Sequence, residues 1–281
     1  MTATTVLGGD GYPPDLVAAL TRATEGAAAA ARAWLGRGDK DAADGAAVAA
    51  MRTALIDAPF DGTVVIGEGE KDAAPMLANG ERLGAGGTEY DIAVDPLDGT
   101  RLVAEGIPGS IAVIALAPRG TMFDPIGVFY MDKLICAAVG RGVVDIRRPV
   151  ADNLAALAAA SGREVSELVV IVLDKPRHVE LIAEIRKAGA TVTLAGEGDV
   201  SAAVSAASGA VDLVLGVGGT PEGIIAACAV RALDGFMQVR LAPQSPEQNL
   251  LALAGGHDLE RVLELDDLVA SDSALFVSTA V

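Results

Sequence analysis

Cysteine and histidine are scarce in this sequence, which contains only two residues of each. Cys136 and Cys228 lie in apolar segments, so we expect buried free thiols in a reducing cytoplasm rather than a disulfide framework. His178 and His257 are far apart in the chain, and no His/Cys spacing typical of a zinc site occurs. Metal chemistry in this protein would therefore rest on oxygen ligands, which favour Mg²⁺ or Mn²⁺.

Long apolar runs and an excess of positive charge are also missing. No run approaches the roughly 18 apolar residues of a membrane span, and the N-terminus shows no basic region ahead of an apolar one, as a signal peptide would. The chain has 21 basic and 38 acidic residues, which give a formal net charge of −17. This charge argues against nucleic acid or an anionic membrane as a partner. An anionic small molecule would need local cations or metals to bind.

The apolar pattern of the 281 residues changes near residue 150. Before that point two helical segments precede a series of strands, which indicates a mixed sheet. Beyond it strands and helices alternate, which is typical of a largely parallel sheet. We therefore predict an α/β fold with an N-terminal α+β half at 13–150 and a C-terminal α/β half at 151–281. The Thr- and Gly-rich residues 1–12 are expected to be loose.

The segment 90–101 carries the strongest chemical signal. A short apolar strand leads into two carboxylates, Asp95 and Asp98, and Pro96 between them predicts that the strand stops there. Gly99 and Thr100 follow, a pair suited to a tight turn with free backbone N–H groups. Carboxylates bind hard cations and such a turn binds anions, so a metal and a phosphate could lie side by side. The alternative is a turn with solvated aspartates.

A second acidic segment could add carboxylates to this site. Glu68 and Glu70 follow an apolar strand that ends at Ile66, and glycines flank them. Glycine lets the backbone turn sharply there. Asp44 lies four residues after Lys40 at the start of a predicted helix. The two side chains could therefore share one helical face, and an isolated ion pair is the alternative to a functional role.

Three loops in the C-terminal half follow predicted strands and carry polar groups. Functional loops of such sheets lie beyond the carboxyl ends of the strands. Lys175 and Arg177 flank the stiff Pro176 and suit a phosphate that does not react; an ordinary exposed basic turn is the alternative. Glu197 and Asp199 could accept hydrogen bonds from sugar hydroxyls, or Asp199 could cap a helix.

The third loop, 216–223, is rich in glycine but does not match a nucleotide-binding motif. It lacks the Lys-Ser/Thr pair of a P-loop and does not fit G-x-G-x-x-G followed by a ribose-binding acid. Glu222 at the start of the following helix is better interpreted as a further metal ligand, or as a partner of the helix dipole.

Several of these segments resemble a known family. D-P-L-D-G-T resembles the metal-binding motif of the lithium-sensitive sugar and inositol phosphatases. A longer set resembles class II fructose-1,6-bisphosphatase, in that family's order and over roughly residues 15–281: W-L-G-R-G-D-K-D-A-A-D-G-A-A-V-A-A-M-R, I-G-E-G-E-K-D-A-A-P-M-L, D-I-A-V-D-P-L-D-G-T-R, Y-M-D-K-L, K-P-R-H and G-G-T-P-E-G-I-I-A-A.

The resemblance implies a layered α-β-α-β-α sandwich and a role for each matching residue. The N-terminal half would bind metal and the reacting phosphate, and the C-terminal half would bind the substrate. The implied metal ligands, for Mg²⁺ or Mn²⁺, are Asp44, Glu68, Asp95, Asp98 and Glu222. The implied catalytic residues are Asp44, Glu68 and Thr100. The implied substrate-binding residues are Asp98, Gly99, Thr100, Tyr130, Lys175, Pro176, Arg177, Glu197, Gly198, Asp199 and Gly219.

The implied reaction is hydrolysis of the 1-phosphate of fructose 1,6-bisphosphate, with sedoheptulose 1,7-bisphosphate as a second substrate, in gluconeogenesis. The resemblance also implies a homo-oligomer, either a dimer or a tetramer. Two alternatives stay open: a specialised paralogue that acts on another sugar or cyclitol phosphate, and a catalytically silent phosphosugar-binding module. The intact set of acids argues against the catalytically silent module, because clustered carboxylates repel one another unless a cation is bound.

Overall fold

The computed structural model describes residues 3–67 and 77–281. Their strands are β1 (Thr4–Leu7), β2 (Asp61–Ile66), β3 (Arg82–Leu83), β4 (Glu89–Asp98), β5 (Ile111–Pro118), β6 (Tyr130–Cys136), β7 (Val169–Leu173), β8 (Thr191–Ala195), β9 (Leu213–Gly219), β10 (Phe236–Leu241), β11 (Val262–Glu264) and β12 (Leu275–Ala280). Their α-helices are α1 (Pro14–Arg32), α2 (Lys40–Leu55), α3 (Thr100–Glu105), α4 (Val150–Ser161), α5 (Val179–Ala188), α6 (Asp199–Ala207), α7 (Thr220–Ala232), α8 (Pro246–Ala254) and α9 (Leu265–Leu268).

The chain forms two compact units, and each contains helices and one sheet. Unit 1 comprises Met1–Asp124 and Val269–Val281, and unit 2 comprises Pro125–Leu268. Helices and strands in both units confirm the predicted α/β class. The bounds differ from the halves expected at 13–150 and 151–281, because β6 joins the sheet of unit 2 and the C-terminal β12 returns to the sheet of unit 1.

The sheet of unit 1 is mixed, as predicted, with the strand order β1-β12-β5-β4-β2-β3. β2 and β4 are parallel, and the other neighbouring strands are antiparallel. α1 and α2 pack against each other and against this sheet. Because β2 and β4 are parallel, their carboxyl ends reach the same edge of the sheet, and Asp95 and Asp98 lie at this end of β4.

The sheet of unit 2 has the order β11-β10-β6-β9-β7-β8. β7, β8 and β9 are parallel, with α5 and α6 as crossovers, but β6, β10 and β11 pair antiparallel. The sheet is therefore mixed, and the expectation of a largely parallel sheet holds for only three strands. The difference arises because β6, from the sequence before residue 150, lies between β9 and β10 and runs antiparallel to both.

Two local expectations were wrong. β4 does not stop at Pro96 but continues to Asp98, with a shift in register between Asp95 and Asp98. The shift accommodates a residue that cannot donate a ladder hydrogen bond. The segment 1–12 is not loose over its described length, because β1 pairs with β12 through contacts such as Thr4 with Thr279.

Each unit has its own apolar core. Large buried side chains in unit 1 include Met51, Phe60 and Ile92, and unit 2 buries Leu134 and Val170 beneath its helices. None of the helices in the described part of the chain is both long and apolar enough to cross a membrane.

Candidate active site

In unit 1 the carboxyl end of β4 holds two acids in different settings. Asp98 is buried, whereas Asp95 is partly exposed. Asp95 Oδ1 accepts the backbone N–H of Leu97 at 3.0 Å. This bond is a local turn of the kind that aspartate favours, and it fixes one carboxylate oxygen beside the register shift at the strand end.

The turn after Asp98 is built around Gly99. Its φ of 85° and ψ of 46° are left-handed, and glycine adopts this conformation at little cost. The Gly99 carbonyl accepts the hydroxyl of Ser110 at 2.7 Å. Thr100 is then the first residue of α3 and is partly exposed. The left-handed turn and the Thr100 hydroxyl thus follow directly after Asp98 at the end of β4.

The structure places Asp44 in the second turn of α2, and α2 packs against both β4 and α3. Glu68 lies outside the described residues, although β2, which precedes it, ends at the same sheet edge as β4. Within residues 3–67 and 77–281, no group of three or more His, Cys, Asp or Glu side chains is placed to hold a metal ion. The metal ligand set therefore stays a prediction.

In unit 2 the predicted substrate-binding segments meet at one edge of the sheet. The loops after β7, β8 and β9 lie at the carboxyl ends of parallel strands. β6 runs antiparallel to β9, so its first residue, Tyr130, lies opposite Gly219 at the end of β9. One sheet edge thus holds Lys175, Pro176, Arg177, Glu197, Gly198, Asp199, Gly219 and Tyr130.

Arg177 is held by an aromatic ring and a carbonyl. Its guanidinium carbon lies 5.3 Å from the centroid of the Tyr130 ring, within the range of a cation–π interaction. Its Nε and Nη2 both donate to the Val217 carbonyl, at 3.1 and 2.9 Å. None of the described carboxylates forms an ion pair with Arg177. Its charge is therefore oriented and not neutralised, and the Nη1 side of the guanidinium can bind an anion.

His178 fixes the backbone that carries Arg177 and was missed by the sequence analysis. The ring is buried, its Nδ1 lies 2.7 Å from the Leu173 carbonyl, and its Nε2 accepts the N–H of Val217 at 2.9 Å. Acceptance at Nε2 requires the neutral ring with its proton on Nδ1, so Nδ1 donates to Leu173. His178 thereby ties the end of β7 to β9.

Asp199 takes part in a buried ion pair with Lys133, which the sequence analysis also missed. Lys133 Nζ donates to Asp199 Oδ2, and the lysine side chain is only 1% exposed. The alternative in which Asp199 caps a helix is wrong, because Asp199 is the first residue of α6 and Gly198 occupies the cap position. The sequence signal for Lys133 is weak, because β6 carries two adjacent charged residues, Asp132 and Lys133, and nothing in the local pattern marks the lysine as the buried one.

Glu222 lies in the first turn of α7, and its Oε2 is buried with no hydrogen-bond partner among the described residues. Burial raises the pKa of Glu222, while the charge of Lys133 lowers this pKa and that of Asp199 raises it. A Cβ at Gly219 would overlap Oε2, so the absence of a side chain there gives the carboxylate its space. A buried carboxylate oxygen of this kind suits a cation ligand.

Comparisons with known proteins identify the family of this chain. A model of the family described as bacterial fructose-1,6-bisphosphatase, glpX-encoded, matches residues 14–281. The chain is 43% identical over 283 residues to fructose-1,6-bisphosphatase 1 class 2 of Escherichia coli (strain K12), which covers 95% of this chain and 84% of the relative. Identity and coverage are the same for the class 2 enzymes of Escherichia coli O6:H1 and Shigella flexneri. The chain therefore belongs to the bacterial class II fructose-1,6-bisphosphatase family, whose members are phosphoric monoester hydrolases.

Proposed function

We propose that this protein is a metal-dependent phosphatase that hydrolyses the 1-phosphate of fructose 1,6-bisphosphate and releases inorganic phosphate. The observation that carries the proposal is the arrangement along β9, where Val217 binds Arg177 and where Gly218 and Gly219 lie against the carboxylates of Asp199 and Glu222. A cation for a phosphate, an acceptor for a sugar hydroxyl and a carboxylate for a metal thus contact three successive residues of β9.

The proposed metal is Mg²⁺ or Mn²⁺, and the proposed ligands are Asp44, Glu68, Asp95, Asp98 and Glu222. The donor set supports this choice, because it consists of hard carboxylate oxygens and includes the buried Oε2 of Glu222, which has no hydrogen-bond partner within residues 3–67 and 77–281. When bound, such cations stabilise negative charge on the phosphate oxygens and make an attacking water more acidic.

The proposed catalytic roles fall on residues at the end of β4 and on α2. The Thr100 hydroxyl would orient the attacking water. The Asp44 and Glu68 carboxylates would help to orient this water and would accept its proton. Asp98, together with the backbone of Gly99 and Thr100, would hold the reacting phosphate. The left-handed turn at Gly99 supports this role, because left-handed residues in turns help to form the backbone concavities that bind anions. The residues contribute placement and charge rather than a covalent intermediate.

The second phosphate of the substrate would bind at the loop after β7. Arg177 and Lys175 supply two cations on a loop stiffened by Pro176, and Tyr130 holds the Arg177 guanidinium in place. Glu197, Gly198, Asp199 and Gly219 would contact the sugar. Sedoheptulose 1,7-bisphosphate has the same disposition of two terminal phosphates and is the second candidate substrate.

The test is phosphate release from a panel of sugar phosphates by the purified protein, with Mg²⁺ and with Mn²⁺. The panel contains both bisphosphates, fructose 6-phosphate, glucose 6-phosphate and an inositol monophosphate. We expect the highest kcat/KM for fructose 1,6-bisphosphate and no turnover after metal is removed with EDTA. A monophosphate with a higher kcat/KM would identify a paralogue with another substrate, and no turnover of any compound would identify a binding module.

We further propose that the enzyme is a cytoplasmic homo-oligomer, either a dimer or a tetramer. The family membership supports this assembly, and the two buried thiols agree with a reducing compartment. Size-exclusion chromatography with light scattering measures the mass in solution against the 28.3 kDa of one chain. A mass of one chain at micromolar concentration would contradict the proposal.

A further inference from the structure

Lys133 is the one lysine among the buried polar residues of the described chain. It lies in the middle of β6, between β9 and β10, and the whole residue is 2% exposed. A buried ammonium is costly unless it is paired and hydrogen-bonded. Its partner is Asp199, which lies 66 residues later in the sequence. An apolar side chain would fill the same space without that cost, so the charge calls for a role beyond packing.

The backbone around Lys133 is shaped to admit this side chain. A Cβ at Gly218 would overlap Asp199 Oδ2 and lie 2.9 Å from Lys133 Nζ, and a Cβ at Gly223 would lie 3.2 Å from Lys133 Cε. The lysine stem thus passes beneath the first turn of α7, and the ion pair rests on the end of β9. Both glycines belong to the G-G-T-P-E-G segment, and the contacts give a physical reason for their lack of side chains.

The position of the charge relates Lys133 to two residues of the proposed site. Its Nζ donates to Oδ2 of Asp199, which leaves Oδ1 to accept a hydrogen bond from a substrate hydroxyl. Its charge also acts on Glu222, opposing the effect of Asp199. Two carboxylates near each other repel, and a cation between them reduces that repulsion. Lys133 therefore stabilises Asp199 in a single position against Gly218.

We propose that Lys133 is a positioning residue that holds Asp199 for recognition of a sugar hydroxyl. The inference rests on the proposed function, because it assumes that Asp199 contacts the sugar. Lys133 itself does not touch the substrate and acts through the carboxylate that it fixes. Loss of the ammonium would free the Asp199 side chain to rotate, which would weaken sugar binding and leave the chemistry of the phosphate largely unchanged.

The test compares wild type with Lys133→Met, which keeps an unbranched side chain up to the ε position and removes the ammonium group. We expect the KM for fructose 1,6-bisphosphate to rise about tenfold or more, as for the loss of a charge-assisted hydrogen bond, while kcat changes less than about threefold. Calorimetry in EDTA should show the same weakening for fructose 6-phosphate, a readout that needs neither metal nor turnover. A wild-type KM in folded Lys133→Met would overturn the proposal.

Arg240→Met is the matched control. Arg240 lies on the neighbouring strand β10 and pairs with Asp132 of β6 at 2.8 Å, and neither residue belongs to the proposed site. The control should keep the KM of wild type. An equal rise of KM in both variants would overturn the proposal, because it would trace the effect to the sheet as a whole.

A double variant separates positioning from the loss of stability. Lys133→Met leaves the Asp199 carboxylate buried without its partner and lowers the melting temperature, whereas Lys133→Met with Asp199→Asn removes both charges of the ion pair. If Lys133 acts through Asp199, the KM of the double variant should match the larger single-variant value. The proposal would be overturned if the increase in KM of the double variant equalled the product of the two single-variant increases, or if its KM matched that of wild type. Failure of wild type to bind any sugar phosphate would instead contradict the proposed function.

Discussion

Arg177 and Tyr130 form a preassembled pair, with the guanidinium carbon 5.3 Å from the centroid of the ring. The two residues come from different strand ends of unit 2. The backbone carbonyl of Val217 accepts two further hydrogen bonds from the Arg177 guanidinium. The stacked face and the Nε side of the guanidinium are therefore occupied by the protein. The remaining Nη1 side is held in one direction, and no carboxylate in the described part of the chain neutralises it. This preorganisation lowers the entropic cost of binding an anion.

Arg177→Ala should erase the preference for a bisphosphate over a monophosphate. The variant removes charge-assisted hydrogen bonds to the unreactive phosphate, each of which contributes about 1.5–3 kcal/mol. We expect kcat/KM for fructose 1,6-bisphosphate to fall roughly ten- to hundredfold, while slow hydrolysis of a monophosphate is spared. The exposed Arg186→Ala in α5 is the control. An unchanged ratio of the two kcat/KM values in Arg177→Ala would show that this loop does not bind the second phosphate.

Asp95→Asn should retain the fold and lose nearly all turnover. The change keeps the shape of the side chain but removes one negative charge from a proposed metal ligand. A metal contributes several kcal/mol to catalysis, so we expect kcat to fall by about a thousandfold. Circular dichroism and the melting temperature report the fold, and phosphate release reports kcat. Full activity in Asp95→Asn, or full activity of wild type after removal of metal with EDTA, would place the metal site elsewhere.

The sequence predicted the regular elements of this chain better than their long-range pairing. The strands β5 and β7 and the helix α5 follow from local apolar patterns. The pairing of Thr4 with Thr279 joins the two ends of the chain, and no local pattern specifies such a partner. Pro96 was interpreted as the end of β4 because it lacks an N–H, yet the shift in register lets the strand continue to Asp98.

The same limit applies to the candidate site. Motifs pointed to Arg177, Asp199 and Glu222, and the structure brings all three to the end of β9. Lys133 and His178 were missed because their roles depend on partners that lie far along the chain, Asp199 for one and Val217 for the other. A buried lysine cannot be distinguished from a solvated one by its own position in an alternating strand.

Cys136 and Cys228 should not react with a thiol reagent in the folded protein. Both are buried free thiols, and burial raises the pKa of Cys136 to about 12, an effect that a backbone hydrogen bond from Gly140 offsets only in part. Since the thiolate is the reactive form, we expect no modification by 5,5′-dithiobis(2-nitrobenzoate) at about pH 8 and two thiols per chain after denaturation. Rapid modification of the native protein would contradict the burial of these residues.

The raised pKa of Cys136 also predicts a loss of stability at alkaline pH. In the unfolded chain the thiol ionises near its ordinary pKa of about 8.5, whereas in the folded protein it stays protonated to about pH 12. The stabilising contribution is therefore complete below about pH 8.5 and is lost as pH rises towards 12, by about 1.4 kcal/mol per pH unit. Urea unfolding between pH 8 and pH 10 measures the fall in the free energy of unfolding. Cys136→Ala should show a shallower fall than wild type, and equal slopes would contradict the prediction.

Thr100→Ala should lower kcat more than it raises KM. Thr100 begins α3 directly after the left-handed Gly99, and its hydroxyl is proposed to orient the attacking water, an interaction that matters most in the transition state. We expect kcat to fall on the order of a hundredfold, as for the loss of one oriented catalytic hydrogen bond, with KM within about threefold of wild type. Thr100→Ser keeps the hydroxyl and should retain most of the activity. A raised KM with an unchanged kcat in Thr100→Ala would instead assign the hydroxyl to substrate binding, and equal losses in the Ala and Ser variants would point to the methyl group and the packing of α3.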